Sequence, residues 1–394
     1  MADTLPTSRT NPFDPPRELL DDPSPIRRIT FADGHEGWLV TNYELARAVL
    51  ADLRFSSAMA RRRQLIRRPS PEAFRAAGRT PAGFFIGMDP PDHTRLRKLL
   101  TGQFTVRRMK ALEPRIEQIV AEHLDAMAQA GPPLDLVRAY ALPIPSLVIC
   151  ELLGVPYADR ERFQRDSHTL LSLEATQEAA TAAVKSLQSY LLDLVERKRA
   201  EPGEDLIGGL IAGGELSSDE LVGVALLLLI AGHETTANML GLGMFALLLD
   251  PDQAEALRDG RVDVANAVEE LLRYLTVLQF GTTRTAVEDV ELGGALIRAG
   301  DSVGVYLPTA NRDKARFTSG NELDLAADAH GHLAFGHGVH QCLGQQLARI
   351  EMRVAYPALL RRFPTLRLAV PPEEVPLRTD MAIYGVHRLP VEWS

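Results

Sequence analysis

Apolar residues in this chain recur at helical spacing over long stretches and alternate only in short ones. In Arg115-Ile116-Glu117-Gln118-Ile119-Val120-Ala121-Glu122-His123-Leu124 the apolar positions fall on one side of a helix, and Ala182 to Lys198 repeats the pattern with charges opposite. This periodicity dominates from about residue 90 to 275. Strand-like runs are few: Gly37-Trp38-Leu39-Val40-Thr41 near the start, then Val290-Glu291-Leu292 and Ser302 to Leu307, set apart by Gly and Arg turns. The pattern predicts a mainly α protein with a minor β portion. No repeat, low-complexity tract or Gly/Ser linker divides it, so residues 1–394 are expected to form one domain.

Three helices have unusual sequences. One is expected over Ser218 to Leu249, with Ser218-Asp219-Glu220 as cap residues and Asp250-Pro251 as its stop, a rod of roughly 45 Å at 1.5 Å per residue. It is apolar all round, which places it in the core. Its most apolar stretch, Leu221 to Gly232, falls short of the roughly twenty residues a bilayer requires. Inside it stands Ala231-Gly232-His233-Glu234-Thr235-Thr236-Ala237-Asn238, a polar island that packing does not require. A second helix carries Glu270 and Arg273 at i,i+3, and a third begins after Asp89-Pro90-Pro91-Asp92 with His93 and Arg97 at i,i+4, so each pair shares a face.

Composition narrows the class. Two cysteines in 394 residues cannot form a disulfide framework, and the first residues lack a basic n-region and an apolar h-region, so the expected compartment is the cytoplasm. A net charge of -9 argues against nucleic acid as a partner. Of the two cysteines, Cys150 lies among Leu147-Val148-Ile149 and Leu152-Leu153 and reads as core. Cys342 lies in Phe335-Gly336-His337-Gly338-Val339-His340-Gln341-Cys342-Leu343-Gly344, a glycine-rich loop just before a predicted helix. A lone cysteine near a helix is usually a small buried hydrophobe, but backbone N–H groups and the helix dipole at this position favour the thiolate, which is a metal ligand.

The segment Phe335-Gly336-x-Gly338-x-His340-x-Cys342-x-Gly344 resembles the haem-binding loop of cytochrome P450 monooxygenases. Ala231-Gly232-His233-Glu234-Thr235, Glu270-x-x-Arg273 and His93-x-x-x-Arg97 match three further signatures of that family, in the family's order. The resemblance extends over nearly the whole chain. It implies haem b with Cys342 as the iron ligand, Phe335 covering that face, and Gly336, Gly338 and Gly344 shaping the loop. On the opposite face it implies a helix distorted at Ala231-Gly232 to admit dioxygen, with Glu234 and Thr235 as a proton-relaying acid and alcohol; an ordinary helical back-bond by Thr235 is the bland alternative. Propionate partners would be His93, Arg97, Arg284 and His340, with Arg284 just before a short strand. His337 is left as solvated or as a local hydrogen-bond donor. Glu270 and Arg273 would be a structural ion pair. Many bacterial relatives supply a third arm through a Phe-Asp-x-x-Arg segment, whereas this chain reads Leu323-Asp324-Leu325-Ala326-Ala327.

The chain has no Gly-rich dinucleotide fingerprint and too few cysteines for an iron–sulfur cluster, so electrons derived from NAD(P)H would arrive through a separate ferredoxin and ferredoxin reductase. Arg95, Lys98, Arg107, Arg108 and Lys110 form a candidate docking patch, with a merely solvated face as the alternative. The basic run Arg61 to Arg68 reads as solvated or as facing an anionic substrate group. Pocket candidates are Phe84, Phe85 and Ile86 from one loop, Leu227, Leu228 and Ala231 from the long helix, and Phe280, Thr282 and Ile383. Such a lining suits a large hydrophobic molecule. The stretch Leu142 to Pro156 and the wording around Cys342 resemble soluble actinobacterial members of secondary metabolism. They imply a monomer that hydroxylates or epoxidises a macrolide, with a xenobiotic, terpenoid or steroid as the alternative. A haem-binding sensor or electron carrier, a peroxide-using enzyme and a cofactor-free scaffold are the rivals. The acid-alcohol pair argues against the first two.

Overall fold

The computed structural model describes residues 3–69, 80–201 and 203–394. Its helices include α1 (Tyr43–Ala51), α2 (Asp92–Thr101), α3 (Val106–Ala111), α4 (Glu113–Ala130), α5 (Pro143–Leu153) and α6 (Arg160–Leu171). The later part adds α7 (Gln177–Ala200), α8 (Ser218–Leu249), α9 (Val264–Leu275) and α10 (Gln345–Arg362). The central rod is α8, against which α5, α7, α9 and α10 all pack. It starts in a reciprocal cap: Ser217 Oγ accepts from Glu220 N–H at 3.2 Å, and the Glu220 carboxylate accepts from Ser217 N–H at 3.0 Å. It ends at Asp250-Pro251, where Asp250 caps the next helix. Among the described residues it is the one helix long and apolar enough to cross a membrane, but 72% of its most apolar window is buried inside the protein.

The expected distortion at Ala231-Gly232 is not found, for α8 is α-helical throughout. Gly232 has another physical role. A Cβ there would stand 2.7 Å from Ile149 Cδ1, so the missing side chain lets α5 close on α8.

The minor β portion is mainly one five-stranded sheet of β1 (Ile26–Thr30), β2 (Glu36–Val40), β3 (Phe55–Ser56), β4 (Thr282–Ala286) and β5 (Ser302–Val305), ordered β1-β2-β5-β4-β3. Only β2 and β5 run parallel, with Val40 opposite Val305. Arg284 lies within β4, opposite Val303, rather than before a strand as the sequence suggested. At the other end of the chain, residues 377–387 form a loop sewn to the end of α6: Leu173 N–H donates to Asp380 C=O at 2.8 Å and Ala382 N–H to Leu171 C=O at 2.7 Å. That loop also carries Tyr384, whose N–H donates to Val277 C=O at 2.8 Å just beyond α9.

Candidate active site

The Cys342 loop is closed by its own backbone. Cys342 N–H donates to Phe335 C=O at 2.8 Å, and Gly336 and Gly338 hold φ of 70° and 72°, a region that side chains rarely enter. Gly338 lies against the Leu50 carbonyl, where a Cβ would come within 2.3 Å, while a Cβ at Gly336 or Gly344 would meet nothing within 4 Å. Helix α10 begins at Gln345, capped by Gly344. The thiol opens onto an internal cleft although protein crowds it. Burial therefore raises its pKa, against the Gly344 N–H, Arg97, Arg349 and the Gln345 N–H. The sequence argument for a favoured thiolate named the backbone N–H groups but not Arg97 and Arg349, and it missed the desolvation that exceeds them all in the protein alone.

Two charge networks lie beneath this loop. Arg273 is fully buried; its Nε and Nη2 donate to Glu270 at 2.6 and 2.7 Å. The third arm is supplied by backbone, as Arg273 also donates to the carbonyls of Asn311 (2.8 Å), Gly320 (2.8 Å) and Glu322 (2.9 Å) and to Ser319 Oγ (3.2 Å). Asp324 N–H completes the set on Glu270 Oε1 at 3.1 Å. Beside it, Glu269 is clasped by Arg349 at 2.7 and 2.8 Å and faces His332 Nε2 at 3.1 Å. The Arg349 guanidinium stands 4.5 Å over the Phe335 ring. Burial opposes ionisation of Glu269, but the hydrogen bonds from His332 and Arg349 outweigh it and hold the carboxyl at about 2.

On the other side of the loop, arginines and neutral histidines gather with few anionic partners among the described residues. The ring centroids of His93 and His340 are 4.1 Å apart, and both nitrogens of the buried His93 ring lack a hydrogen-bond partner. Arg97 Nη2 donates to Gln341 C=O at 2.6 Å, tying α2 to the cysteine loop. Arg284 is buried and reaches only Thr282 Oγ1 (3.1 Å) and Thr283 C=O (2.9 Å). Burial pushes it down to about 10. Arg62 is pushed to about 10 by burial and then by Arg284 and Arg68. His340 falls to about 3 through burial and through His93, Arg284, Arg62 and Arg97. Asp89, held by Ser56 Oγ and Ser57 N–H, is the one carboxylate acting on Arg62 and Arg284 among the described residues.

Two arginines crowded by protein, with Asp89 as the carboxylate acting on them among the described residues, call for a further anion, and the neutral histidines beside them offer hydrogen-bond donors. The two propionates of a haem fit them, and the open glycine positions and the cleft-facing thiol fit its ring and iron. The member that sequence reasoning did not assign is Arg62. It stood in a run of five arginines within eight residues, and nothing in the run marks which of them turns inward. His337, expected to donate or be solvated, instead accepts at Nε2 from Arg47 Nε at 3.3 Å.

On α8, Leu227, Leu228, Ala231 and Thr235 share one face. Ala231 is exposed midway along a core helix, so the surface it offers belongs to the internal cleft. Thr235 Oγ1 donates to Ala231 C=O at 2.9 Å, the back-bond anticipated as the bland alternative, and keeps its oxygen free to accept. Glu234 points away from that face. Its Oε2 accepts from Arg378 Nη2 at 3.0 Å and from Asn238 Nδ2 at 3.3 Å, and all three residues are buried.

The remaining pocket candidates divide. Phe85 is buried with its ring 6.3 Å from His93, and Phe84 packs on the same large core as Leu227, Leu228 and Ile383. Ile86 is 43% exposed, and Thr282 is half-buried beside Arg284. Phe280 packs instead on the separate cluster of Ile29, Phe31, Leu39, Leu65 and Tyr306, which takes it out of the group. Cys150 is fully buried and burial pushes it up to about 12, as a core residue requires. In the basic patch, Arg95 pairs with Glu220, while Lys98, Arg107, Arg108 and Lys110 are exposed without a carboxylate partner among the described residues. Helix α3, which carries three of them, packs on α10 behind Cys342.

Comparison with known proteins agrees with this geometry. The profile of the family described as Cytochrome P450 matches residues 264–392. Cytochrome P450 105C1 of a Streptomyces species is 50% identical over 99% of this chain and 98% of its own length. Vitamin D3 dihydroxylase of Streptomyces griseolus is 46% identical over 100% and 97%. The solved structure of CYP105P1 in complex with filipin I superposes with a TM-score of 0.92 at 44% identity, covering 100% of this chain and 99% of that one. The chain therefore belongs to the cytochrome P450 family and is a bacterial haem-dependent monooxygenase of the secondary-metabolism type.

Proposed function

We propose that this enzyme inserts one oxygen atom of dioxygen into a large apolar natural product, by hydroxylation or epoxidation, with a polyketide macrolide as the substrate class. The observation that carries the reading is the face of α8, where apolar Leu227, Leu228 and Ala231 meet the hydroxyl of Thr235 at an internal cleft. A relative that binds filipin I supports the macrolide class. The vitamin D3 dihydroxylase favours a second reading, a steroid-like or terpenoid substrate.

Bound haem supplies the iron chemistry of dioxygen reduction, favoured by thiolate donation. The chain's own residues do the rest. Cys342 would ligate the iron, and Phe335, braced by Arg349, would pack against the ring beside it. His93, Arg97, Arg284, His340 and Arg62 hold the propionates. The substrate is oriented by shape against Phe84, Leu227, Leu228, Ala231 and Ile383, which also exclude water. Thr235 presents a hydroxyl at the reacting face, and Glu234 holds the proton supply behind it. Electrons come from a ferredoxin and its reductase, and Lys98, Arg107, Arg108 and Lys110 offer an acidic ferredoxin a docking face.

The reduced protein with carbon monoxide is expected to show the red-shifted Soret band of thiolate ligation, and Cys342→Ser to lose it. A spin-state screen against macrolides, steroids and terpenoids then ranks the substrate classes. Thr235→Ala is expected to consume reductant with little product; full coupling in that variant refutes the relay.

A further inference from the structure

Glu234 is buried, so a proton that reaches it must cross the protein from bulk water. Among the described residues a polar seam lies between the end of α6 and the loop 377–387. At its inner end the Glu234 carboxylate is fixed by Arg378 and Asn238, and His233 Nε2 stands 3.9 Å from Glu234 Oε1. Arg378 Nε and His233 Nε2 are buried there with no protein partner. With Nδ1 donating to Leu229 C=O, His233 Nε2 is an acceptor and Arg378 Nε–H a donor, and buried polar atoms left over in this way are characteristically satisfied by internal water. At its outer end His387 Nε2 pairs with Asp380 Oδ1 at 2.7 Å, both about one-third exposed. The ring of His168, on the exposed side of α6, lies 6.4 Å from that of His387. The backbone bonds from Leu171 and Leu173 to Ala382 and Asp380 keep the two walls in register.

We propose that His168, His387 and Asp380 collect protons at the surface and feed them through this seam to Glu234, with Arg378 as the residue that positions the Glu234 carboxylate at its inner end. The inference rests on the reading of Glu234 and Thr235 as the relay. Insertion of one oxygen atom into substrate releases the other as water, and that water takes two protons from solvent and two electrons from the ferredoxin. The seam carries only the protons. His168 is electrostatically in contact with both ends: burial and Arg378 lower its pKa, while Glu234 and Asp380 raise it, and His387 lowers it further. His168 thus lies within electrostatic reach of both the buried acid and the surface pair, and its ring stands beside that of His387.

The test uses the haem-loaded full chain with ferredoxin, reductase and the apolar probe 7-ethoxycoumarin. In His168→Leu/His387→Leu, the turnover rate is expected to fall by about fivefold, a fraction of what a full acid–base group contributes. The solvent deuterium isotope effect and the peroxide yield are expected to rise together, with the carbon-monoxide spectrum unchanged. Arg378→Leu is expected to raise peroxide yield as well, with Arg378→Lys partly restoring coupling. Independently of turnover, NMR titration of the His168 ring is expected to shift its midpoint down in Glu234→Gln, because a negative charge that raises it has gone. If the double variant matches wild type in rate and isotope effect while Glu234→Gln is impaired, the seam is overturned and the relay stands. If Glu234→Gln is itself unimpaired, the relay falls and the seam with it. An unmoved His168 titration also overturns the seam.

Discussion

Two clusters built around arginine flank the Cys342 loop, and the fold treats them in opposite ways. On one side Arg273 has its guanidinium satisfied by Glu270, three backbone carbonyls and Ser319. On the other, Arg284, Arg62, His93 and His340 cluster with Asp89 as the one carboxylate acting on the two arginines among the described residues. The first group is complete within the chain and costs nothing further to keep buried. The second is a debt that only an external anion settles. A satisfied buried charge is architecture, and an unsatisfied one is a binding site.

The sharpest way to break the comparison is to unpair the complete side. In Arg273→Met the Glu270 carboxylate stays buried among carbonyls, and the expected loss is about 3–5 kcal/mol in unfolding free energy with or without haem. Urea denaturation of apo and holo protein checks it, and equal losses in both are the signature of architecture.

The incomplete side should respond in reverse. Arg284→Leu or Arg62→Leu removes a protein-crowded cation that makes no ion pair with a carboxylate among the described residues, so the apo protein is expected to melt no lower than wild type. Haem transfer to an excess of a haem-accepting globin is expected to speed up by about ten- to a hundredfold, since a charge-assisted hydrogen bond contributes about 1.5–3 kcal/mol. A drop in apo melting temperature as large as that of Arg273→Met would erase the distinction between the two groups.

How much of this the sequence disclosed follows the same division. The span of α8 was legible because its apolar run and its Asp-Pro stop act locally, although its cap is Ser217 with Glu220 rather than the Ser218-Asp219-Glu220 read from the sequence. Cys342, His93 and Arg97 were legible because their spacing is a motif. What escaped was whatever depends on long-range packing. The third arm of Arg273 is made of carbonyls, which every residue has, so no side-chain pattern could announce it. Arg62 differs from Arg61 and Arg63 only in which way the chain turns. Gly232, read as a groove opener, is a contact with Ile149, visible only once α5 lies against α8. The Arg349–Glu269 pair joins residues 80 positions apart.

That pair supplies a milder test. The Glu269 carboxyl is held at about 2, below its ordinary 4.5. A depressed acid contributes stability that is present in full above pH 4.5 and is lost as pH falls through about 2. Glu269→Gln is therefore expected to flatten the dependence of the urea midpoint on pH between 5 and 2. The network should also affect the haem side, because Arg349 loses its clasp over Phe335; a shifted reduction potential in the same variant would register it. An unchanged acid profile would place the source of acid sensitivity elsewhere.

The smallest expected effect separates the two cysteines along the same line between closed and open groups. Cys150 is sealed in the core, where burial pushes its thiol to about 12, and Cys342 opens onto the cleft. Iodoacetamide at mild alkaline pH is expected to label apo protein at Cys342 alone, holo protein at neither, and urea-unfolded protein at both. Cys150→Ala should leave this pattern intact and cost only about 1 kcal/mol, the transfer of one small buried group. Labelling of Cys150 in the folded protein would show that α5 opens in solution, and that the close contact of Gly232 with Ile149 does not hold the helix against α8.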